Sequence, residues 1–514
     1  MKLHGKHKLP LSQLECTDSR SDDTSVAVIE KPTYHRERDK RRGFNYLPGI
    51  LHFHKTITAD NTQHGGIHPL TAIKSHQENT ARLVNEAIQA LPNIGTVRSA
   101  GGIGRVAITR AGVQKAKPDF ISVTRGPGMR TNISCGLDVA KGLSIAWQIP
   151  LLAIHHMQAH ALTPRMVWAL TTNSEVILDH VEPEPRFPFL TLLVSGGHTM
   201  LLNSTSITDH TVLADTQDVA IGDALDKIGR LLLPKELREN TNDTAFAKHL
   251  SNYAFPNEEA FASYCPPKNR AEETQKSRNK FGWLISSPLA ESPTSSMSFT
   301  GIVSQVEKIF NERQNITFGL SDEERLLFAR TAIGITIEHL CTKVVNALKD
   351  HKQKDLVVSG GVAANNFLRH FLRQMLNERG HEDVNLIFPP AEYCTDNAAM
   401  IGWAGIEMYK AGWRSSLTCI PLRKWDIEGN ESDGSGILGV GGWMKSRERD
   451  ALMHFIEQGW SKEKIREKVE KLNKRRLRRP GRDLILDVDE VLKKHPLEER
   501  KPRQQSASET MGEA

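Results

Sequence analysis

The sequence predicts an α/β fold with mainly parallel strands, and three observations predict it. Three short apolar runs, Asp119–Thr124, Phe189–Val194 and Asp355–Ser359, each stop at glycine, in Arg125-Gly126-Pro127-Gly128, Ser195-Gly196-Gly197 and Gly360-Gly361. A buried strand that turns on glycine into a helix is the connection parallel sheets require. Stretches with apolar residues at helical spacing alternate with such runs. Two strand–Gly-Gly loops in one chain point to a duplicated α/β lobe.

Taken in order, Ser25–Glu30 (SVAVIE) reads as the first strand and Asn79–Leu91 as a helix. The Asp119–Thr124 strand leads to a helix through Leu143, and Leu151–Ile154 is a short strand. After the Phe189–Val194 strand, Gly222-Asp223-Ala224-Leu225-Asp226-Lys227 opens a helix. Lys235–Arg278 is polar with few periodic apolar positions and reads as an insertion or loop. Ser321–His351 is the longest helical pattern, opened by a capping box in which Ser321 and Glu324 satisfy first-turn N–H groups. From Glu428 a Gly/Ser-rich stretch links the body to a tail with one basic helix candidate, Lys462–Arg476, and then a polar end whose last ~15 residues are expected to be disordered.

A chain of 514 residues, 39% hydrophobic and 25% charged, is long enough for two or three domains and a sizeable core. The mean hydropathy of −0.41 and the lack of an apolar run of about 18 residues argue against a membrane-spanning helix. The net charge of +6 is uneven: residues 441–514 hold 19 Lys/Arg against 14 Asp/Glu, and residues 1–440 hold 48 against 47. Composition therefore does not make the body a nucleic-acid binder. Six cysteines without a C-x-x-C pair exclude a disulfide scaffold, a zinc ribbon and a thioredoxin-type site, and a reducing compartment is expected. No apolar segment follows the basic start, and Glu15 and Asp18 precede the first arginine, Arg20, so neither a signal peptide nor an ordinary transit peptide is expected.

Four constellations could carry chemistry. In Ile154-His155-His156-Met157-Gln158-Ala159-His160, placed on a short helix before Pro164, His156 and His160 stand one turn apart on one face. That spacing suits two imidazoles on one metal ion, or two surface or capping histidines. A zincin peptidase needs H-E-x-x-H with glutamate as base, and Met157 occupies that position. The loops at Ser195-Gly196-Gly197-His198 and Ser359-Gly360-Gly361-Val362 let backbone N–H groups approach a phosphate or carboxylate, or are ordinary tight turns. No P-loop sequence occurs. Asp396, in Cys394-Thr395-Asp396-Asn397, is either a helix N-cap or an oxygen ligand joining the histidines. Asp226 is either an acceptor for ribose-type hydroxyls or a first-turn acid paired with a nearby Lys or Arg.

Together the motifs resemble one family in content and order: HGGIHP (64–69), TRGPGM (124–129), HHMQAH (155–160), LLVSGGHT (192–199), GDALDK (222–227), SFTG (298–301), SGGVAANNFLR (359–369) and FPPAEYCTDNAAMIGWAG (388–405). The chain is similar over roughly residues 22–423 to the tRNA N6-adenosine threonylcarbamoyltransferases, formerly described as glycoproteases. SGGHT, AANNFLR and CTDNAAM resemble the bacterial and mitochondrial branch, which with the extended tail makes a mitochondrial location the expectation and a cytoplasmic one the alternative. Two places depart from the family. The D-D-T of the first strand is intact at Asp22-Asp23-Thr24 but the residues before it differ, and Leu231-Leu232-Leu233-Pro234 leads to no Gly-Gly.

The resemblance implies an actin-like fold of the acetate kinase, sugar kinase and heat-shock ATPase type, with two lobes across a central cleft and a basic C-terminal extension. Residues 1–21 are then an irregular start, and 22–155 the first lobe, completed by about 396–427. Residues 156–395 form the second lobe with its polar insertion at about 235–278, and 428–514 are linker and tail. It implies one divalent metal ion per subunit (iron, zinc or manganese), held by His156, His160 and Asp396. Leu193, Val194, Ser195, Gly196, Gly197, Asp226 and Asn365 match substrate-binding positions. The implied reaction moves a threonylcarbamoyl group from threonylcarbamoyl-AMP, made by a separate synthase, to tRNA. No residue is assigned as general base, a homodimer is expected, and no membrane is involved. The basic run Lys474–Arg482 reads as a solvated helix end or an auxiliary contact to tRNA phosphates. The rival readings are a metalloprotease and a non-catalytic actin-like nucleotide-binding protein.

Overall fold

The computed structural model describes residues 11–18, 22–31, 49–61, 63, 67–93, 106–109, 111–172, 182–239, 245–275, 277–289, 294–314, 319–430, 432–445 and 467, with the backbone alone for 11–18, 106 and 108. Contacts divide the chain into a unit Met1–Trp443 and a unit Met444–Ala514. The tail helix candidate (Glu467 apart), the basic run and the chain end lie outside the described residues.

The strands are β1 (Leu11–Asp18), β2 (Asp23–Lys31), β3 (Ile50–Thr58), β4 (Val106–Ile108), β5 (Gln114–Ala116), β6 (Phe120–Gly126), β7 (Leu151–His155), β8 (Phe189–Val194), β9 (Thr199–Ser204), β10 (His210–Asp215), β11 (Asp355–Ser359), β12 (Asn385–Ile387), β13 (Trp413–Ser415) and β14 (Trp443–Lys445). The described helices of ten residues or more are α1 (Pro69–Ala90), α2 (Arg130–Trp147), α3 (His156–Thr171), α4 (Ile221–Leu232), α5 (Thr300–Gln314), α6 (Asp322–Asp350), α7 (Asn366–Glu378) and α8 (Ala398–Lys410). The helix expected at Asn79 starts ten residues earlier, because Pro69 at its first position is preset for helix entry. α6 begins as expected, with the Ser321 hydroxyl accepting the Glu324 N–H at 3.2 Å.

One sheet runs β14-β13-β7-β6-β1-β2-β3 and the other β10-β9-β8-β11-β12. Each contains the same unit, β3-β2-β1-β6-β7 in one and β10-β9-β8-β11-β12 in the other. In both, three antiparallel strands are followed by two that run parallel to the first. This repeated order is the actin-like fold, and it corrects the expectation of mainly parallel sheets. Four residues join β8 to β9 and five join β9 to β10, which allows only hairpins, whereas a parallel crossover needs a dozen or more.

Two further expectations are corrected. The start, expected to be irregular up to residue 21, contains β1, a central strand held between β2 and β6 with Gln13, Leu14 and Glu15 opposite Phe120, Ile121 and Ser122. Backbone pairing on both sides makes it a strand despite an unpromising side-chain pattern. Lys235–Arg278 is no plain loop. It forms short helices at Lys235–Glu239, Phe246–Ala254, Glu258–Phe261 and Arg270–Thr274. Phe255 from this segment stacks on Phe367 at 3.7 Å. The buried Glu273 carboxylate accepts hydrogen bonds from Arg379 at 2.6 Å and Thr342 Oγ1 at 2.9 Å. Helices of four to nine residues are too short to display a helical period.

One core cluster lies around the second sheet and another around the first. A third joins them: Met157, Leu162 and Met166 of α3 and Met400, Trp403 and Ile406 of α8 pack with Phe189, Leu193 and Val357. The candidate site is built at the starts of these two joining helices.

Candidate functional site

β7 is buried along its length, and α3 starts directly after it. The expected short helix is instead 16 residues long and runs through Pro164, which has no N–H to donate to the preceding turn. His156 and His160 project from its first turn and a half. Their Nε2 atoms lie 3.1 Å apart, and Asp396 Oδ1 is 3.3 Å from the first and 3.1 Å from the second. The imidazoles are 0% and 3% exposed and the carboxylate 17%, so the triad opens to solvent on the side of the acid.

The local reading of Asp396 as an N-cap is corrected by its neighbour. Asn397 caps α8, its side chain accepting the Met400 N–H at 3.0 Å and donating to the Thr395 carbonyl at 2.8 Å. Ser25 Oγ on β2 accepts the Ala398 N–H at 2.9 Å. The Asp396 carboxylate is thereby released from capping and faces the histidines. Behind it stands Asp22, which accepts from Asn61 Nδ2 at 2.9 Å; burial pushes its carboxyl pKa up, and the charge of Asp396 adds to that. Asn61 also accepts the His68 N–H at 3.0 Å, which ties the end of HGGIHP to this corner; His64, Gly65 and Gly66 lie outside the described residues.

Donors at roughly 2.0–2.2 Å from one divalent ion stand about 3–3.5 Å from one another. The three separations fall in that interval, and two neutral imidazole nitrogens with a carboxylate oxygen are a proper donor set for such an ion. This is the one such triad among the described residues.

The glycine loops lie together. Leu193 pairs with Ser359 across the parallel β8–β11 ladder and Val194 pairs with Thr199, so both Ser-Gly-Gly turns leave the same edge. In open α/β sheets ligands bind in the crevice at the carboxyl ends of parallel strands. Gly360 has φ +102° and would place a Cβ 2.3 Å from the Val194 carbonyl oxygen, so only glycine fits. A Cβ at Gly222, in the first turn of α4, would stand 2.8 Å from the Gly196 nitrogen. Ser195 Oγ accepts the N–H groups of Gly197 at 3.3 Å and His198 at 3.0 Å, which turns those two amides inward. Gly196 is exposed, and a Cβ there would meet nothing within 4 Å.

Asn365 caps α7, its Oδ1 accepting the Phe367 and Leu368 N–H groups at 2.9 and 3.2 Å; the cap does not use its amide nitrogen. Asp226 accepts the Ala247 N–H at 2.6 Å and so anchors the helix Phe246–Ala254. On α4, Asp223 pairs with Lys227 at 2.9 Å.

Sequence reasoning missed Asp218 and His155. Asp218 accepts from Ser298 Oγ at 2.6 Å and from the N–H groups of Phe299 and Thr300 at 3.0 and 3.2 Å, which fixes SFTG at the start of α5. Burial pushes this carboxyl up, but the bonds from Phe299, Ser298, Val219 and Thr300 outweigh it and hold the pKa at about 2. An isolated Asp eighty residues before SFTG gives no readable signal. His155 caps α3, with Nδ1 accepting the Met157 N–H at 3.2 Å.

The family profile described as TsaD, tRNA N6-adenosine threonylcarbamoyltransferase, matches residues 99–403. A Schizosaccharomyces pombe protein named "tRNA N6-adenosine threonylcarbamoyltransferase, mitochondrial" is 33% identical over 443 residues, covering 84% of this chain and 89% of that protein. Proteins named "tRNA N6-adenosine threonylcarbamoyltransferase" from Paracoccus denitrificans and Anaplasma marginale are 30% and 29% identical, each over 80% of this chain and over 93% and 96% of their own lengths. Among solved structures, T. kodakarensis HypF aligns with 14% identity and a TM-score of 0.37, over 81% of this chain and 50% of that one, too weakly to carry the fold. The fold rests on the repeated strand order and the family match.

Proposed function

Since the chain belongs to the tRNA N6-adenosine threonylcarbamoyltransferase family, we propose that it transfers the threonylcarbamoyl group of threonylcarbamoyl-AMP to the N6 amine of the adenosine just 3′ of a tRNA anticodon. The carrying observation is that HHMQAH and CTDNAAM, 236 residues apart, bring His160 and Asp396 to 3.1 Å. A peptidase reading is not favoured: the position of a zincin's base is Met157, and the relatives carry a transferase name. A purely non-catalytic nucleotide-binding role is not favoured either, since the relatives are named as transferases.

His156, His160 and Asp396 are proposed to hold one divalent ion. When bound, such an ion supplies Lewis-acid polarisation of substrate oxygens and stabilises charge on a leaving phosphate. Leu193 and Val194 carry the strand end, and Ser195, Gly196 and Gly197 the open turn, against which the anionic part of the adenylate is proposed to rest. The N-terminus of α4 abuts that turn through Gly222, and its partial positive charge favours an anion there. Asn365 offers its amide nitrogen to the adenylate. Asp226 is proposed to accept from ribose hydroxyls, its bond to Ala247 fixing the orientation of the acceptor. The N6 amine is a weak nucleophile, so the chain's contribution is to align and activate the acyl donor; no side chain is assigned as base.

A homodimer, supply of threonylcarbamoyl-AMP by a separate synthase and a mitochondrial location complete the proposal, the last supported by the name of the S. pombe relative. No described helix is long and apolar enough to cross a membrane. The test is incubation of the metal-loaded protein with unmodified tRNA and threonylcarbamoyl-AMP, with mass spectrometry of the nucleosides. The expected product is N6-threonylcarbamoyladenosine, dependent on His160. Absence of that product with active donor and folded protein would overturn the reading.

A further inference from the structure

We propose that the segment Cys419–Ile427, which follows β13, is a strap that positions the ligand helix α3, and that His155 is its point of attachment. The inference rests on the reading of His156, His160 and Asp396 as a metal site.

α3 has no Ser, Thr, Asp or Asn at its N-cap; a fully buried histidine stands there. An imidazole nitrogen can accept a first-turn N–H only if it carries no proton. His155 Nδ1 accepts from Met157 at 3.2 Å, with Gln158 farther off at 3.5 Å. The other nitrogen, Nε2, faces the Trp425 carbonyl oxygen at 3.1 Å, 270 residues along the chain. A carbonyl can only accept, so Nε2 carries the proton and Nδ1 keeps its lone pair for the cap. The strap thus selects the tautomer that starts the helix.

The strap is itself fixed. The Trp425 ring tilts onto His155 at 4.6 Å, and the Arg125 guanidinium lies 5.5 Å above the same indole. Arg125 Nε donates to the Ile420 carbonyl at 3.0 Å, and the Leu422 N–H returns to the Arg125 carbonyl at 2.8 Å. The Gly128 N–H donates to the Arg423 carbonyl at 3.2 Å, and a Cβ on Gly126 would stand 2.4 Å from the Leu422 oxygen. TRGPGM, to which the proposed reaction gives no role, is therefore the bed on which the strap lies. Asp396 is placed separately, by Asn397 and Ser25. Any rotation or fraying at the start of α3 would move both imidazoles relative to an acid that stays in place. His155 is accordingly a positioning residue, which touches no substrate.

The experiment uses the full chain with cobalt(II) as the metal probe, and reads cobalt affinity, the visible absorption of the bound ion and the thermal midpoint. His155→Ala removes cap and strap link together; about a 10–100-fold weaker cobalt affinity and an altered absorption band are expected. His155→Asn restores a short-range cap but is too short to reach Trp425. It is expected to recover the thermal midpoint while affinity stays at least about fivefold below that of the unaltered protein. Should His155→Ala fail to fold, His155→Asn alone decides. Unaltered cobalt affinity in either folded variant, with His156→Ala deficient, would overturn the strap and leave the metal site standing. Equal cobalt binding by the unaltered protein and His156→Ala would instead remove the metal reading on which the strap depends.

Discussion

The two repeated five-strand units share one strand order; β6 of the first also ends in a close-packed glycine, Gly126, so the contrast lies between β7 in the first and β8 with β11 in the second. In the first, β7 ends in His155, His156 and, one turn on, His160. In the second, β8 and β11 end in glycines, one of them at φ +102°. The first edge works through side chains that supply lone pairs; the second works through missing side chains, which let backbone come close. On the proposed reading, the end of β7 serves cation chemistry and the ends of β8 and β11 serve anion contact. Substitutions should separate the two edges: loss of a donor atom should break the first, and gain of a methyl group the second.

The largest effect is expected at the first edge. His160→Gln, which keeps volume and removes the coordinating nitrogen, should abolish tRNA modification and bound metal while the chain stays folded; metal analysis and a nucleoside assay check this. Alanine is the poorer choice, because His156 and His160 are 0% and 3% exposed rather than set in an open cleft, and truncation would leave a cavity. His156→Gln combined with Asp396→Asn should be scarcely worse than either alone, since one shared ion is already lost. Full metal content in Asp396→Asn would leave the edge with only its histidine pair.

Next comes Gly360→Ala at the second edge. The added Cβ meets the Val194 oxygen at 2.3 Å on a backbone that alanine rarely adopts. Strain and overpacking together should cost about 2–5 kcal/mol, read as a lower denaturation midpoint. A midpoint unchanged within error would mean that the two glycine turns are not packed as closely as this.

A further effect separates the two sheets by pH. His210 on β10 and His339 on α6 both serve the second. Burial pushes each imidazole down to about 4, helped at His339 by Lys343. Burial keeps both neutral, and His339 Nε2 in addition accepts the Ser298 N–H at 3.2 Å. The unfolded chain takes up these protons near pH 6.5 and the folded one only near 4, so stability is complete above about 6.5 and falls as the pH drops toward 4. The loss approaches the order of 3 kcal/mol per histidine at the lower end. Asp218, held at about 2, keeps its contribution throughout that window and loses it only as the pH falls below about 3.8 toward 2. Denaturant titrations at several pH values should show the slope, and His339→Gln should remove part of it. An unaltered slope in that variant would exclude His339 as its source.

Periodicity and glycine placement made much of the fold legible: β8 and β11 occupy the expected residues, and α6 lies one residue inside each expected end. The spacing of His156 and His160 was legible as a pair on one helix face, because four residues make about one turn. Asp396 could join them only through the motif order, since no local pattern spans 236 residues. β1 was hidden because its partners, β2 and β6, hold it through the backbone. His155 was hidden because a histidine cap depends on a tautomer, and the tautomer is set by Trp425, 270 residues away.

The smallest expected change in stability tests the second edge most directly. Gly196 backs onto the closely packed Gly222, yet a Cβ on Gly196 itself would meet nothing within 4 Å, and its φ lies outside the left-handed region. Gly196→Ala should therefore shift stability by less than about 0.5 kcal/mol, as surface substitutions without strain do. If the adenylate rests against this turn, the methyl group instead occupies space reserved for substrate. KM for threonylcarbamoyl-AMP should then rise, with metal content and thermal midpoint unchanged. Gly360→Ala shows the reverse order of effects, structure first and binding as a consequence. Equal KM in Gly196→Ala and the unaltered protein would move the substrate's anionic end away from Ser195–Gly197 and leave the glycines of the second edge a packing role alone.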